Sequence, residues 1–358
     1  MGWPGAEGHP GSVPSGQRLL GCFLLFVILV GKTSFQQPAK IRVGLYGING
    51  HQIHQALAHS RLGKLIAIAA IPRKQLPPAL RDDPSVRVHE GFEELLADPD
   101  VDFISLCSPR RANQADEAQR ALRAGKHVLA EKPCALTEKD LDAIMNTACE
   151  TGKSFHEMAG TAFEHPYFAM REVVRSGRLG EIVQVIAEKS YPYFETRAQD
   201  EALDGGLIAQ NGIHALRFVE HVAGCRIASI LATETKLGNP IAEGGLRMAA
   251  SMLLTLANGG VSSISVNYLN PRGTGVWGYE TLKILGTRGI VESRAGGQYT
   301  RLVIGEKDLG PLDTAQAAPD WLETFFASIL GDVEMPLSLE EEFSPTRWAI
   351  RANLRAKG

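Results

Sequence analysis

Between residues 41 and 145, short apolar runs alternate with segments of helical periodicity. The four apolar runs span residues 41–46, 65–71, 101–106 and 126–129. The run at residues 65–71 is continuous, as expected for a strand buried on both faces of a sheet. Helices are predicted over residues 52–59, 92–96 and 113–124, and from a cap at Thr137 through residue 145. Strands and helices that alternate at this spacing predict an α/β domain with a doubly wound parallel sheet.

After about residue 155 the alternation stops. Longer strand candidates follow without intervening helices, at residues 182–189, 248–256, 260–268 and 279–285. Asn258-Gly259-Gly260 is typical of a hairpin turn between two of them. Helices are predicted over residues 167–175, 209–222 and 321–330. These elements predict a C-terminal α+β domain with a large, mostly antiparallel open sheet.

Length and composition describe a globular protein with two domains. The 358 residues suffice for two hydrophobic cores, which we place at residues 40–155 and 156–358, after an N-terminal segment of residues 1–39. The net charge of −3 gives no reason to expect nucleic acid as a partner. Five scattered cysteines without a CxxC pair argue against a disulfide framework or a thiolate zinc site. No metal site is predicted.

The N-terminal segment does not fit either domain. Residues 1–18 are rich in Gly and Pro and are predicted to be disordered, and residues 19–30 form an unbroken apolar run. A dozen residues is short for a membrane span and better sized for a signal-peptide core. However, no Ala-x-Ala cleavage site follows. Three interpretations stay open: an uncleaved membrane anchor, an atypical export signal, or sequence translated from a misassigned start.

A glycine-containing turn follows the first predicted strand. Its residues are Gly47, Ile48, Asn49, Gly50, His51 and Gln52. A dinucleotide pyrophosphate is bound where such a turn opens a helix, because backbone N–H groups and the helix dipole favour anions there. Gly47 matches the first glycine of GxGxxG, whereas Asn49 and Gln52 occupy the second and third glycine positions. The turn is therefore either a cofactor loop or a plain strand-to-helix connection.

The end of the second predicted strand bears on the type of dinucleotide. An acid at this point would accept hydrogen bonds from the adenosine ribose of NAD. The sequence is instead Ala69-Ala70-Ile71-Pro72-Arg73-Lys74, with two cations that suit a 2′-phosphate. NADP is therefore at least as plausible as NAD, and a solvated basic loop is the alternative.

Two further segments carry candidate catalytic residues. Glu131 and Lys132 follow the fourth apolar run, at the sheet edge where open α/β folds bind ligands. A lysine there can hold a substrate hydroxyl beside a nicotinamide ring. After Gly205-Gly206, Gln210 and His214 lie four residues apart on one face of a predicted helix. His214 is suited to act as a general base, although a lone helical histidine is more often structural.

Four segments occur in a recognisable order. They are Val43-Gly44-Leu45-Tyr46-Gly47, Ala124-Gly125-Lys126-His127-Val128-Leu129-Ala130-Glu131-Lys132-Pro133, Gly177-Arg178-Leu179-Gly180-Glu181-Ile182, and Gly205-Gly206 through His214. In this order they resemble the Gfo/Idh/MocA family of glucose-fructose oxidoreductases and inositol dehydrogenases. The resemblance covers residues 41 to about 350. It implies a Rossmann domain, an α/β domain whose open sheet builds homo-oligomers such as dimers or tetramers, and nicotinamide-dependent redox chemistry on sugars and polyols.

The resemblance also implies a catalytic lysine, aspartate and histidine. Lys132 and His214 match two of them, but Gln210 stands at the aspartate position. In Ser108-Pro109-Arg110-Arg111, Arg110 replaces the asparagine that the family usually has. We expect Ser108, Glu131 and Lys132 to contact the cofactor together with the glycine turn, and Arg73 to contact a 2′-phosphate.

The expected function is hydride transfer between NAD or NADP and a sugar, polyol or related hydroxy compound. His214 would remove the hydroxyl proton, Lys132 would orient the oxygen and Gln210 would help to position the substrate. One alternative is a redox-inactive family member that binds nucleotide or sugar. Another is transient oxidation that cleaves a glycosidic bond. The soluble nicotinamide pool favours the cytoplasm, while residues 19–30 leave membrane association or export open.

Overall fold

A computed structural model describes residues 40–158 and 160–357 of the chain. The predictions for residues 1–39, including the apolar run at 19–30, lie outside these ranges. Within them, no helix is both long and apolar enough to span a bilayer.

The first sheet is parallel and doubly wound, as predicted. Its strands are β1 (Ile41–Tyr46), β2 (Gly63–Ala69), β3 (Arg87–His89), β4 (Phe103–Leu106), β5 (His127–Ala130) and β6 (Phe155–Glu157). Their order is β3-β2-β1-β4-β5-β6, and every adjacent pair is parallel. The winding reverses between β1 and β4, which opens a crevice beyond the carboxyl ends of these strands.

Helices cover both faces of this sheet. They are α1 (His54–Leu57), α2 (Pro78–Arg81), α3 (Phe92–Ala97), α4 (Gln114–Arg123) and α5 (Glu138–Thr151). The Oγ1 atom of Thr137 accepts a hydrogen bond from the backbone N–H of Asp140, at 3.1 Å, which confirms the predicted cap of α5. In contrast, the predicted helix over residues 52–59 is a single turn, so its dipole at the glycine turn is small.

The second sheet is large and mostly antiparallel, as predicted. Its strands are β7 (Ile182–Ser190), β8 (Ile227–Thr235), β9 (Ala249–Leu256), β10 (Val261–Asn267), β11 (Tyr279–Gly286), β12 (Gly289–Arg294), β13 (Tyr299–Ile304) and β14 (Lys307–Asp308). Their order is β14-β13-β12-β11-β7-β10-β9-β8, and within the described part of this second sheet only the β7–β10 pair is parallel. One face of the sheet packs against helices and builds the main hydrophobic core.

The remaining helices follow β6 in the chain. They are α6 (Tyr167–Arg175), α7 (Glu201–Asp204), α8 (Ile213–Arg217), α9 (Trp321–Leu330) and α10 (Leu339–Lys357). The predicted helix over residues 209–222 is α8 flanked by two π-helical turns, Ile208–Gly212 and Phe218–Val222.

Helix α10 was not predicted from the sequence, and it contacts both parts of the fold. Phe343 and Ile350 pack into a core of the parallel sheet, whereas Ala349 and Ala352 pack into the core of the antiparallel sheet. The placement of the domain boundary between residues 155 and 156 stays a prediction.

Candidate active site

Lys132 follows β5 and points its amine towards the helical segment that carries Gln210. Its side chain is 3% exposed, and its Nζ atom donates to the backbone oxygen of Gln210 at 2.7 Å and to Oε1 of the same residue at 2.6 Å. Burial lowers the pKa of Lys132 to about 8, although the nearby charge of Glu131 acts in the opposite direction. The amine is therefore protonated at neutral pH but closer to losing its proton than an exposed lysine.

Gln210 contacts the catalytic lysine candidate. While its Oε1 atom accepts from Lys132, its Nε2 atom donates to the backbone oxygen of Asp204 at 2.6 Å. Both ends of the amide are thus engaged. A glutamine in this position keeps the hydrogen bond to the lysine but adds no negative charge, so Gln210 orients Lys132 without an ion pair.

His214 lies on α8, and its ring lines the same cavity as Lys132. Its Nδ1 atom is 3.4 Å from Thr161 Oγ1, and its Nε2 atom is 3.5 Å from Tyr191 Oη. Burial holds the pKa of His214 well below its ordinary value, and the positive charges of Lys189 and Lys132 lower it further. The imidazole is therefore neutral at pH 7, which is the form that accepts a proton.

The cavity between these groups has a volume of about 600 Å³. Lys132 and His214 line it from the two halves of the chain, and His51 and Gln52 line it from the glycine turn. Its aromatic lining comes from Phe163, Tyr167, Tyr191 and Trp321. The structure thus brings the predicted acid–base pair and the predicted cofactor turn to one crevice.

The two glycines of the turn allow close backbone approaches. Gly47 has a φ of +70°, and a Cβ atom there would lie 2.1 Å from the backbone oxygen of Cys107. Gly50 has a φ of +124°, and its Cβ atom would lie 2.6 Å from Cγ of Glu131. A side chain at either position would displace the turn, since L-residues also disfavour these backbone angles.

Asn49 and Gln52 stabilise the turn with their own side chains. Asn49 Nδ2 donates to the backbone oxygen of Leu203 at 2.6 Å. Gln52 is buried, with Nε2 donating to the oxygen of Gly47 at 2.9 Å and Oε1 accepting from Ser105 Oγ at 2.6 Å. At the two positions where GxGxxG has glycine, this chain therefore uses amide side chains to fix the backbone.

Glu131 connects the turn with the catalytic lysine candidate. Its fully buried carboxylate accepts from the backbone N–H of His51 at 3.1 Å, lies 3.2 Å from His51 Nδ1, and lies 3.8 Å from Lys132 Nζ. Burial acts to raise the pKa of Glu131, but the His51 hydrogen bond and the Lys132 charge prevail and lower it to about 2. A negatively charged carboxylate therefore contacts the glycine turn at His51.

The remaining predicted cofactor residues lie at different depths. Ile48 is exposed on the turn, whereas Ser108 is buried and its Oγ atom donates to the backbone oxygen of Arg110 at 2.8 Å. Arg73 donates to the backbone oxygens of Arg81 and Val86, each at 2.8 Å. Its guanidinium would have to exchange these bonds for a 2′-phosphate.

Sequence reasoning did not assign Lys189, Glu280 or Thr161 to the site. Lys189 was detectable in principle. It occupies an inward-facing position of β7, in line with Val185 and Ala187, where strand alternation predicts an apolar side chain. A charged residue at such a position indicates either a partner or a polar cavity.

Comparison with known proteins gives the same picture of the chain. Residues 41–158 match the model of the Gfo/Idh/MocA oxidoreductase family, described as an NAD-binding Rossmann fold. Residues 167–292 match the C-terminal domain model of the same family. The chain belongs to the Gfo/Idh/MocA family. Its recognition from the sequence is therefore confirmed, together with the fold class and the nicotinamide dinucleotide.

Individual relatives are more distant. Inositol 2-dehydrogenase of Rhizobium meliloti is 25% identical over 304 residues, which cover 81% of this chain and 88% of that protein. 1-Carboxy-3-chloro-3,4-dihydroxycyclohexa-1,5-diene dehydrogenase of Comamonas testosteroni is 29% identical over 188 residues, which cover 51% of this chain and 46% of that protein. The chain spans about half the length of several curated relatives that it matches.

Solved structures resemble the whole described fold. A structure from Thermotoga maritima has a TM-score of 0.76 and 25% identity, and covers 88% of this chain and 98% of its own. Aldose-aldose oxidoreductase from Caulobacter crescentus has a TM-score of 0.73 and 20% identity, with 89% of this chain and 98% of that chain covered. At 20% identity, the similarity to the Caulobacter crescentus enzyme shows a shared fold alone.

Proposed function

We propose that the chain is an NAD(P)-dependent oxidoreductase that acts on a hydroxyl group of a sugar, polyol or related hydroxy compound. One observation carries the proposal: Lys132 and His214, from different halves of the chain, line one cavity beside the glycine turn of an NAD-binding Rossmann fold. The names of relatives, including inositol 2-dehydrogenase and 1,5-anhydro-D-fructose reductase, support this substrate class.

The residues around the crevice fit a nicotinamide dinucleotide. The surface of the turn at Ile48 and Gly50 is exposed, so its backbone is accessible to a phosphate. The turn from Gly47 to Gln52, together with Ser108 and Glu131, would hold the cofactor. When bound, the nicotinamide supplies the hydride acceptor. Backbone oxygens engage Arg73, and the proposed cofactor is NAD or NADP.

The chain's own residues supply the acid–base chemistry. His214 is neutral and accepts the proton of the substrate hydroxyl. In the part of the chain that the structure describes, two N–H groups of the Lys132 ammonium bond Gln210, which leaves the third for the substrate oxygen. Because Gln210 fixes the direction of the amine, the remaining N–H is already oriented when substrate binds.

A second candidate function is binding without redox turnover. Two observations favour it: Gln210 replaces the aspartate of the trio, and the glycine turn already uses its own side chains and Glu131 as hydrogen-bond partners. A protein with these features can keep the crevice and lose the reaction. It would then serve as a nucleotide-binding or sugar-binding protein.

Fluorescence titration of the full chain with NADH and NADPH tests the first requirement. We expect saturable binding of at least one of them, and then cofactor reduction with one member of a polyol panel. Binding without reduction of cofactor by any polyol would favour the second candidate. A chain that binds neither dinucleotide would contradict the proposed enzyme.

We infer that the open sheet associates with a second copy of the chain, as a dimer or tetramer. Its outer face exposes Val183, Leu231, Leu253 and Val261 by 49, 64, 62 and 48%. An apolar patch of this kind is typical of an interaction surface. A cytoplasmic location is proposed because the nicotinamide pool is there, and light scattering and cell fractionation test these two points.

A further inference from the structure

A buried ion pair lies on the wall of the cavity and has no role in the mechanism above. Lys189 on β7 and Glu280 on β11 are directly opposite each other in the antiparallel register. Lys189 Nζ pairs with Oε1 of Glu280, and Tyr167 Oη donates to Oε2. The two charged side chains are only 7% and 11% exposed.

All three residues line the same cavity as Lys132 and His214. Lys189 Nζ lies 4.8 Å from the ring centroid of Tyr191, and the hydroxyl of Tyr191 is 3.5 Å from Nε2 of His214. At Gly278, a Cβ atom would lie 3.0 Å from Lys189 Nζ, so the absence of a side chain there leaves room for the amine. The pair is thus separated from the proton acceptor by one aromatic residue.

Stability alone does not account for such a pair. Two charges removed from water lose hydration that their mutual attraction often fails to restore, and apolar residues of similar volume serve a core equally well. At the end of β7, an apolar pair would continue the row of Val185 and Ala187. A polar cavity that receives a ligand gives a physical reason for the charges.

The hydrogen-bonding capacity of the pair defines what it can bind. An ammonium has three N–H donors, of which Glu280 takes one, and a carboxylate has about four acceptor positions. Donor and acceptor therefore lie side by side. Two adjacent hydroxyl groups match this arrangement, because each hydroxyl both donates and accepts.

The charges of the lining indicate the charge of the ligand. The described lining contains two lysines, Lys132 and Lys189, and three carboxylates, Glu164, Glu280 and Asp320. Each lysine also has a carboxylate close by, since Glu131 neighbours Lys132. An additional anion would find no net positive charge here, so a neutral ligand is favoured.

We propose that Lys189 and Glu280 form a specificity site that holds two adjacent hydroxyl groups of the substrate, away from the reacting carbon. The chain would then select neutral vicinal diols over sugar acids. This inference rests on the proposed function, because it concerns the same cavity. Tyr167 would position Glu280 by occupying its second oxygen.

The test uses the full chain with excess NADH or NADPH, and also without them. Calorimetry measures the binding of D-glucose, its series of ring-monodeoxy analogues, myo-inositol and D-glucuronate. We expect glucose or inositol to bind more tightly than glucuronate. We also expect Lys189→Met and Glu280→Gln each to weaken binding of the polyol by about tenfold, the effect of one hydrogen bond to a charged group.

The deoxy analogues separate recognition from structure. For the analogue that lacks the hydroxyl contacted by Lys189 or Glu280, we expect weak binding to the wild-type chain and no further loss in the corresponding variant. The matched control is Glu234→Gln, which removes the charge from an ion pair with Arg247 that lies outside the cavity lining. Its ligand selectivity should equal that of the wild type. If Lys189→Met does not fold, Glu280→Gln preserves the shape and carries the test.

Three outcomes would overturn the specificity site. In the first, both variants bind all analogues more weakly by the same factor. In the second, the wild-type chain binds glucuronate more tightly than glucose and inositol. In the third, no neutral polyol binds saturably. The two proposals remain distinguishable. Diol discrimination without cofactor reduction contradicts only the redox function, whereas cofactor reduction with unchanged selectivity in both variants contradicts only the specificity site.

Discussion

The two ends of the crevice depart from the family pattern in different ways. At the reacting end, Gln210 retains a hydrogen bond to Lys132 at 2.6 Å but removes the charge of an aspartate. At the cofactor end, Asn49 and Gln52 replace flexible glycines and fix the turn by side-chain bonds. The reacting end therefore has a hydrogen bond to the lysine without the charge of an aspartate, whereas the cofactor end has side-chain contacts where the GxGxxG pattern has glycines.

At Lys132, the hydrogen bonds that orient the amine therefore come from a different residue than the negative charge beside it. Two hydrogen bonds to Gln210 orient Lys132, but the carboxylate described nearest to its amine is Glu131, at 3.8 Å. Glu131 is in turn held by the backbone and ring of His51 in the turn. The charge state of the reacting end thus depends on the geometry of the cofactor end.

The largest effect is expected from Lys132→Ala. Removal of the ammonium deletes the donor to the substrate oxygen, so kcat/KM should fall by about a thousandfold, within the usual range for an acid–base group. NADH affinity, measured by fluorescence, should fall far less than kcat/KM, because the glycine turn that holds the rest of the cofactor is intact. Unchanged turnover on an identified substrate would contradict the role of Lys132.

Gly50→Ala tests the cofactor end. The new Cβ atom would meet Cγ of Glu131 at 2.6 Å, and the backbone there has a φ of +124°. We expect NADH binding to weaken by about tenfold, or about 1.4 kcal/mol. Gly152→Ala is the matched control, since it has a φ of +64° but meets no atom within 4 Å. It should lower stability by about 1 kcal/mol and leave NADH affinity unchanged. If both variants lost NADH affinity equally, the close contact between residue 50 and Glu131 would not explain the loss.

Glu131→Gln tests the link between the two ends. The protonated amine of Lys132 is the donor, so it is present below its pKa of about 8, and kcat/KM should fall as the pH rises through that value. Glu131 raises this pKa, and its neutralisation should therefore move the alkaline limb to lower pH by about one unit. A pH–rate profile of both proteins measures the shift. A limb that stays in place would show that Glu131 does not influence the amine.

The smallest effect on turnover is expected from Asn49→Gly, which restores the glycine of the family pattern. Loss of the hydrogen bonds to Leu203 and Pro109 should reduce the free energy of unfolding by about 1–2 kcal/mol. Denaturant unfolding measures this change, with kcat as the comparison. A drop in kcat as large as that of Lys132→Ala would show that the two ends are not separable.

Much of the fold was predictable because buried parallel strands leave a direct trace in the sequence. Val43, Ile104 and Val128 lie in the predicted apolar runs. They are fully buried in β1, β4 and β5 of the parallel sheet. Helix α10 was not predictable in the same way, because Pro345 interrupts its pattern and its buried residues serve two cores. Local periodicity does not record contacts with two distant sheets.

The sequence indicated which residues belong to the site more readily than which residues they contact. The positions of Lys132 and His214 at element ends indicated chemistry, and the structure brings both to one cavity. The bond from Lys132 to the backbone oxygen of Gln210 arises within a π-helical turn, which sequence spacing does not reveal. The pairing of Lys189 with Glu280 depends on strand register across more than ninety residues of chain.

Helix α10 links the elements on either side of the crevice. Glu342 binds the ring of His156 and the backbone of Glu157 on β6, and Arg351 binds Glu138 at the start of α5. The same helix contacts β8 across the antiparallel sheet. This nineteen-residue helix therefore ties the two sheets together, and we expect the width of the crevice to change little when ligands bind.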